Sequence, residues 1–337
     1  MNRFIFVAMK ILILRFSSIG DIVLTTPVIR CLRNKFPDAE IHYATKQAYY
    51  SILQHNPYVN QIHLLQSSVF DLIHELKKEK FDYVIDLHHN QRTLLIKWML
   101  GVKSFSFDKL NLEKWLMTKL KVNRLPDKHI VDRYLETCRS LDVMNDGKGL
   151  DYFISEDDVV DIKKMPEAFQ TGYVAWVIGA KQDTKKFPVD KIVRAVEYIK
   201  HPVVLLGGKD DENEGSEIFQ KCERFNAPVY NAAGKFSLNQ SASLIQQAQV
   251  VVTNDTGLMH VAAAYKKSTI SIWGNTIPEF GMSPYQTQKT IVEVKDLACR
   301  PCSKLGYAQC PQKHFSCMLL VDEKLLGATV NAKFDGH

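Results

Sequence analysis

Apolar residues fall along this chain in short blocks that alternate between the period of a strand and that of a helix. Residues 10–16 (KILILRF) form a continuous apolar run of buried-strand length. Ser17-Ser18-Ile19-Gly20-Asp21 breaks the run as a loop. Residues 22–36 resume at helical spacing, with Pro27 placed to kink that helix or to start a fresh turn. The alternation continues with a strand at 40–43, a helix at 48–54, a strand at 61–65 and an amphipathic helix at 68–80. A strand at 83–87 then ends in His88-His89-Asn90-Gln91-Arg92. The polar stretch 145–158 is rich in turn formers and marks a domain boundary, dividing 1–160 from 161–337. A second series follows, with strands at 173–178, 203–206 and 229–231 and helices at 188–199 and 237–247. Proline opens the first of those helices and serine caps the second.

Strands alternating with helices at this spacing predict an α/β protein with two Rossmann-like, doubly wound parallel sheets facing a cleft. Ligands of such sheets gather at the C-terminal ends of the strands, where Asp21 and residues 88–92 both fall. The most informative stretch is 249–276, QVVVTNDTGLMHVAAAYKKSTISIWGNT. It reads as a strand (250–253), a turn, a helix (258–265) and a second strand (268–273). Asp255 or Thr256 is placed to cap the helix, whose free N–H groups and positive dipole end suit an anion such as phosphate. Gly257 lets backbone approach a ligand, and His260 lies one turn further in. The plainer reading is an ordinary capped helix with a half-buried histidine.

Composition narrows the classes. At 337 residues, 46% apolar and 24% charged, the chain has the make-up of a globular protein with room for two cores. Its net charge of +6 fits anionic substrates or an anionic membrane surface, and no nucleic-acid-binding motif is present. No apolar run approaches the ~20 residues that span a bilayer. Residues 3–9 (RFIFVAM) are too short for a signal core, and Met9-Lys10 reads as a start preceded by an upstream extension at 1–8. A cytoplasmic protein is expected. Residues 109–124 (KLNLEKWLMTKLKVNR) carry five positive charges and one negative, with Leu112, Trp115, Leu116 and Leu120 interleaved. They read either as a solvated helix packed on its own domain or as a segment that meets an anionic lipid surface. Cys299, Cys302, Cys310 and Cys317 cluster near the C-terminus. Their first spacing resembles a zinc knuckle, but the later intervals are irregular, so structural thiols, a metal and disulfides all remain open. A cytoplasmic setting argues against disulfides.

Three motifs, in order along nearly the whole chain, carry a family resemblance. NDTGLMHVAAA followed by WGNTIPEFGMSPY resembles the donor-binding segment of glycosyltransferase family 9, the ADP-heptose:lipopolysaccharide heptosyltransferases. The match falls on Asp255, Thr256, Gly257, His260, Ala262 and Ala263. The opening strand with Ser18-Ile19-Gly20-Asp21, Pro27 and Phe36-Pro37 resembles the family's N-terminus, and residues 129–134 resemble its acceptor-side segment. GAKQDTKKFP (179–188) resembles Gly-Ala-x-x-x-x-Lys-x-Trp-Pro, with Lys185 as the phosphate lysine, Lys186 beside it and Phe187 in place of tryptophan.

The resemblance implies a GT-B fold and an inverting transfer with no cofactor and no metal in the chemical step. A nucleotide-sugar donor, ADP-heptose by family default, would bind Lys185, Lys186, Asp255, Thr256, Gly257 and His260. A glycolipid or oligosaccharide acceptor would meet Ser18, Gly20, His88, Asn90 and Arg92. Asp21 would be the catalytic base and Lys185 would stabilise the departing diphosphate. Without the resemblance, Asp21 reads as a helix cap. A non-catalytic sugar- or lipid-binding relative is the main alternative. A dinucleotide-dependent oxidoreductase is the lesser one, since no Gly-x-Gly-x-x-Gly follows the first strand.

Overall fold

The structure, a computed structural model, describes residues 8–225 and 228–336. The expected extension at 1–8 therefore lies, but for its last residue, outside the described residues. In chain order the first elements are β1 (Lys10–Leu14), α1 (Ile19–Val23), α2 (Thr26–Lys35), β2 (Glu40–Lys46), β3 (Gln61–Leu65), α3 (Val69–Glu79), β4 (Tyr83–Asp86), α4 (Gln91–Leu100) and β5 (Lys103–Ser106). Then come α5 (Asn111–Trp115), α6 (Ile130–Glu136), β6 (Val174–Val177), α7 (Val189–Glu197), β7 (Val203–Leu206), α8 (Glu212–Cys222), β8 (Val229–Asn231) and α9 (Leu238–Gln247). The chain finishes with β9 (Val250–Asn254), α10 (Gly257–Ala264), β10 (Ser268–Trp273), β11 (Lys289–Glu293), α11 (Ser316–Leu319) and α12 (Glu323–Asp335).

Two compact units result. One holds the residues up to Lys109 together with Ile130–Phe153, and the other holds Leu110–His129 and the residues from Ile154 onward. The first has a parallel sheet in the order β3-β2-β1-β4-β5, the second a parallel sheet in the order β11-β10-β9-β6-β7-β8. Each is the doubly wound pattern, with its order reversing beside the unit's first strand, so the predicted α/β fold with two Rossmann-like domains holds. Ile11 to Leu14 and Val174 to Val177 are fully buried. These central strands are covered on both faces, which is why they read as unbroken apolar runs rather than as alternation.

In the first unit, buried Arg30 on α2 fixes the return of the chain after α6. Its guanidinium donates to both carboxylate oxygens of Asp146 (2.7 and 2.9 Å), to Asp151 and to the Gly149 carbonyl (2.8 Å). Breaking a buried pair of this kind typically costs about 3–5 kcal/mol, because the partner charges are left desolvated.

Several elements differ from the sequence reading. The helix expected at 48–54 is a 3-10 turn at Gln47–Ile52. Pro27 does start a fresh helix, α2, while Pro188 sits just outside α7 as its N-cap. The edge strands β5 and β11 carry few fully buried apolar positions to announce them, and α8 and α12 also had no prediction. The segment 110–129 belongs with the second unit, held there by the Lys121 ammonium, which donates to the carbonyls of Cys299 (3.1 Å) and Pro301 (2.7 Å). It is a short helix, α5, that widens into a π turn at Leu116–Leu120.

Candidate active site

Each sheet reverses its strand order at one point, and the candidate residues arrive at those two points. In the first unit the reversal lies between β1 and β4. The loop after β1 carries Ser18, Gly20 and Asp21, and the loop after β4 carries His88 and Asn90. Arg15, at the end of β1, organises both loops. Its Nη2 lies 2.7 Å from Asp21 Oδ1, its Nε donates to the Ser17 carbonyl at 2.7 Å, and its Nη1 donates to the Leu87 carbonyl at 2.5 Å and to Tyr134 Oη at 3.1 Å.

Asp21 uses its other oxygen, Oδ2, to accept from the Ser18 backbone N–H (3.1 Å) and the Ser18 hydroxyl (2.8 Å). It therefore does the capping work expected of an ordinary residue at the third helical position, and in addition pairs with a buried arginine. Its side chain retains 21% exposure. Burial acts to raise the Asp21 pKa, but the Arg15 charge and the Ser18 hydrogen bonds outweigh it, and the net shift is downward. His88 moves the opposite way for its type. Burial first, then the charges of Arg15 and Lys109, lower it to about 4, so the ring is neutral at physiological pH. It stands edge-on to Phe16 with ring centroids 5.6 Å apart, which draws the β1 and β4 loops together.

The other proposed acceptor residues are placed less directly. Asn90 is the N-cap of α4, and its side-chain oxygen is taken by the Thr93 N–H at 3.0 Å. Arg92 is exposed on the first turn of α4.

In the second unit the reversal lies between β6 and β9. Lys185 ends a 3-10 turn (Asp183–Lys185) in the loop after β6, and Asp255 follows β9. The Lys185 ammonium lies 2.6 Å from Asp255 Oδ2, which also accepts from the Thr276 hydroxyl at 2.8 Å. Asn254 locks the same two loops together through its Oδ1, which accepts from the Phe187 N–H (3.1 Å), and its Nδ2, which donates to the Ile178 carbonyl (2.9 Å).

Thr256 is the N-cap of α10, but its side chain makes no capping bond, and Asp255 is committed to Lys185 and Thr276. The expected side-chain cap is thus missing, because the one carboxylate in reach has stronger partners. The Met259 N–H turns back to the Thr256 carbonyl (3.2 Å), and the start of α10 is left without a side-chain cap, an end that favours an anion. His260 is buried within α10 at 2% exposure. Lys186 parts from Lys185. Its ammonium pairs with Asp211 (2.8 Å) and Glu214 (3.1 Å), and although burial opposes it, these carboxylates raise its pKa.

The cysteine-bearing segment backs this site. The Arg300 guanidinium donates to the carbonyls of Gly274 (2.6 Å), Thr276 (2.9 Å) and Val294 (3.2 Å) and pairs with Glu293 (2.7 Å). The Cys302 N–H donates to the Asn275 carbonyl (3.1 Å), and Thr184 exchanges bonds with the backbone of Tyr307 (Thr184 N–H to Tyr307 carbonyl, 3.1 Å; Tyr307 N–H to Thr184 Oγ1, 2.8 Å). All seven cysteines are free thiols. Burial, then neighbouring cysteines, push the Cys302 and Cys317 thiols up to about 11.

Sequence reasoning missed Arg15, Tyr134, Thr276 and Arg300. Arg15 left one signal, a cation at the end of an otherwise apolar strand; Tyr134 and Thr276 lay inside the stretches that carry the family resemblance but were not singled out, because their partners are distant in sequence, as are those of Arg300.

Comparison with known proteins agrees with this geometry. The profile of glycosyltransferase family 9 (heptosyltransferase) matches residues 69–313, more than half of the chain. Asp21 lies outside that span. Lipopolysaccharide heptosyltransferase 1 of Campylobacter coli is 24% identical over 289 residues, 80% of this chain and 84% of that protein. Lipopolysaccharide heptosyltransferase 3 of Escherichia coli K12 is 27% identical over 277 residues, 76% of this chain and 80% of that protein. Among solved structures, E. coli ADP-heptose LPS heptosyltransferase II superposes with a TM-score of 0.73 at 21% identity, covering 97% of this chain and 99% of that one. The shared fold is the GT-B type.

The Arg15–Asp21 pair gives a direct titration test. Because the folded pKa is depressed below the ordinary 3.8, the pair contributes stability above that pH and loses it as pH falls through the folded value. Side-chain carbon NMR of the wild type will place Asp21 below 3.8. In Arg15→Met, burial is no longer outweighed by the guanidinium, and the titration will move up. An unmoved titration would assign the depression to Ser18 alone.

Proposed function

The chain belongs to glycosyltransferase family 9, and we propose that it transfers a heptose or related sugar from an ADP-sugar donor to a lipopolysaccharide core or related glycolipid, inverting the anomeric carbon. The observation that carries this reading is the Lys185 ammonium held 2.6 Å from Asp255 beside the uncapped N-terminus of α10. A fixed cation beside a helix start that no Thr256 side-chain bond caps suits a diphosphate. Both would stabilise the charge that develops as the bond from the anomeric carbon to the phosphate oxygen breaks. Asp255, Thr256, Gly257 and His260 hold the donor, and no cofactor is assigned to the step.

On the acceptor side, Asp21 takes the hydroxyl proton as the new glycosidic bond forms. Its depressed pKa has two consequences. The group is a carboxylate throughout the working pH range, and it is a weak base that accepts the proton only when bond formation has made the hydroxyl acidic. Arg15 fixes the carboxylate's orientation. Neutral His88 offers a hydrogen-bonding edge to an uncharged sugar, and Ser18, Gly20, Asn90 and Arg92, on the two loops and the first turn of α4, are the further acceptor residues of this reading.

No helix among the described residues is long and apolar enough to cross a membrane. A glycolipid acceptor must then be met at the bilayer surface. Leu112 (64% exposed), Trp115 (50%) and Leu120 (57%) stand out from α5 and the π turn beside Lys119 and Arg124. Apolar side chains among lysines suit an anionic surface such as the inner face of the inner membrane. Each cation contributes about 1 kcal/mol there.

Three outcomes follow. Asp21→Asn should keep donor affinity and lose roughly two orders of magnitude or more in turnover, the scale for a positioned base; near-normal turnover of the folded variant removes Asp21 from the role. Lys185→Ala should weaken donor binding and slow transfer. Lys186→Ala should do less, since its ammonium is already committed to Asp211 and Glu214; equal losses in both would mean that the two lysines share the phosphate. The wild type should sediment with anionic liposomes at low salt and be released as salt screens the charges. A Trp115→Ser/Lys119→Glu/Arg124→Glu variant should not bind, and identical partitioning of the wild type on neutral vesicles would leave this segment as a plain structural turn.

A further inference from the structure

Away from the transfer site, at the end of the first sheet where its strands begin, two buried histidines face each other across neighbouring strands. His42 on β2 is 1% exposed and His63 on β3 is 0% exposed. His42 Nδ1 and His63 Nε2 are 2.9 Å apart. Each ring turns its other nitrogen to a carboxylate: His42 Nε2 lies 3.4 Å from Glu40 Oε2, and His63 Nδ1 lies 2.5 Å from Glu75 Oε1. Phe81 closes the side, edge-on to both rings.

Counting protons along this line shows what it lacks. Two neutral imidazoles carry one N–H each, and two carboxylates carry none. Three contacts therefore share two protons. If both outer nitrogens donate to Glu40 and Glu75, two bare lone pairs face each other at 2.9 Å. If an inner nitrogen donates instead, one carboxylate faces a bare ring nitrogen. The cluster is one cation short, and the gap falls between the rings. Lys10 does not fill it, because its ammonium lies on the carboxylates, 2.9 Å from Glu79 and 3.0 Å from Glu40.

A third ligand is in place. One oxygen of Glu79 lies within 4.8 Å of a ring nitrogen on each histidine, and among the described residues this is the only group of three so arranged. Lys10 donates to Glu79 Oε2 at 2.9 Å and so holds this carboxylate beside the two rings.

We propose that His42, His63 and Glu79 form a structural site for a divalent transition metal of zinc's class, with water as the remaining ligand. Two nitrogens and one oxygen suit zinc rather than calcium or magnesium. Tetrahedral ligands at 2.0–2.1 Å stand about 3.3 Å apart. The two rings now meet end to end, with centroids 5.2 Å apart and planes 16° from parallel, so each ring must swing to aim its lone pair at a shared ion while Glu79 closes in. Glu40 and Glu75 then accept the outer N–H groups, as carboxylates behind metal-bound histidines do. The ion would tie β2, β3 and the end of α3 together at the sheet end opposite Asp21. It takes no part in the transfer.

Cobalt(II) is the probe, added to the full chain after chelator treatment. One equivalent should bind with a nitrogen–oxygen spectrum lacking the thiolate-to-cobalt charge-transfer band, which separates this site from the four C-terminal cysteines. His63→Gln should lose that equivalent. Glu79→Gln, at the half-buried rim where folding is least at risk, should weaken it at least about tenfold. Zinc should raise the melting temperature of the wild type and of neither variant, with the wild-type transfer rate unchanged. A wild type that binds no cobalt, or whose only bound cobalt shows the thiolate band, overturns the proposal, as do variants that keep the wild-type spectrum and affinity.

Discussion

A strand in a parallel sheet delivers the residue that follows it to one edge, and never to the other. Both units are bound by that rule, and where the strand order reverses, two such deliveries land side by side. Asp21 and His88 meet at the first reversal, Lys185 and Asp255 at the second. Nothing else in the chain needs to bring these residues together. The buried apolar strands fix the edge, and the polar chemistry occupies the positions immediately beyond it.

At both reversals a charge is held by a partner rather than left bare. Arg15 is almost fully buried, and its cost is offset by Asp21 together with carbonyl and phenol oxygens on every side. Lys185 and Asp255 do the same for each other. Pairing orients the groups in the absence of ligand, so binding does not have to freeze a flexible lysine or rotate a carboxylate into place.

How much of this could be read in the sequence depends on the range of the contact. The central strands, the helices between them and the motif positions at Asp21, Lys185 and Asp255–His260 lie in local patterns and were legible. Asp21 as partner of a buried arginine was not, because Arg15 appears only as the end of an apolar run. The split between Lys185 and Lys186 was half legible. Register against the motif chose Lys185, but the acidic partners that claim Lys186 come from Asp211 and Glu214, on a helix that had no prediction. That residues 109–124 group with the second unit could not be read locally, since Lys121 is anchored to carbonyls almost 180 residues further along the chain.

The Arg300 clamp changes what distant substitutions can do. Its guanidinium spends its donors on three backbone carbonyls and one carboxylate, two of those carbonyls in the loop that supplies Thr276 to Asp255. Tyr307, seven residues on, is bonded to the residue before Lys185. The segment between them thus works as a backing plate for both loops, the one that carries Lys185 and the one that carries Thr276. Lengthening, shortening or stiffening that segment would retune the spacing between Lys185 and the start of α10 without altering either of them.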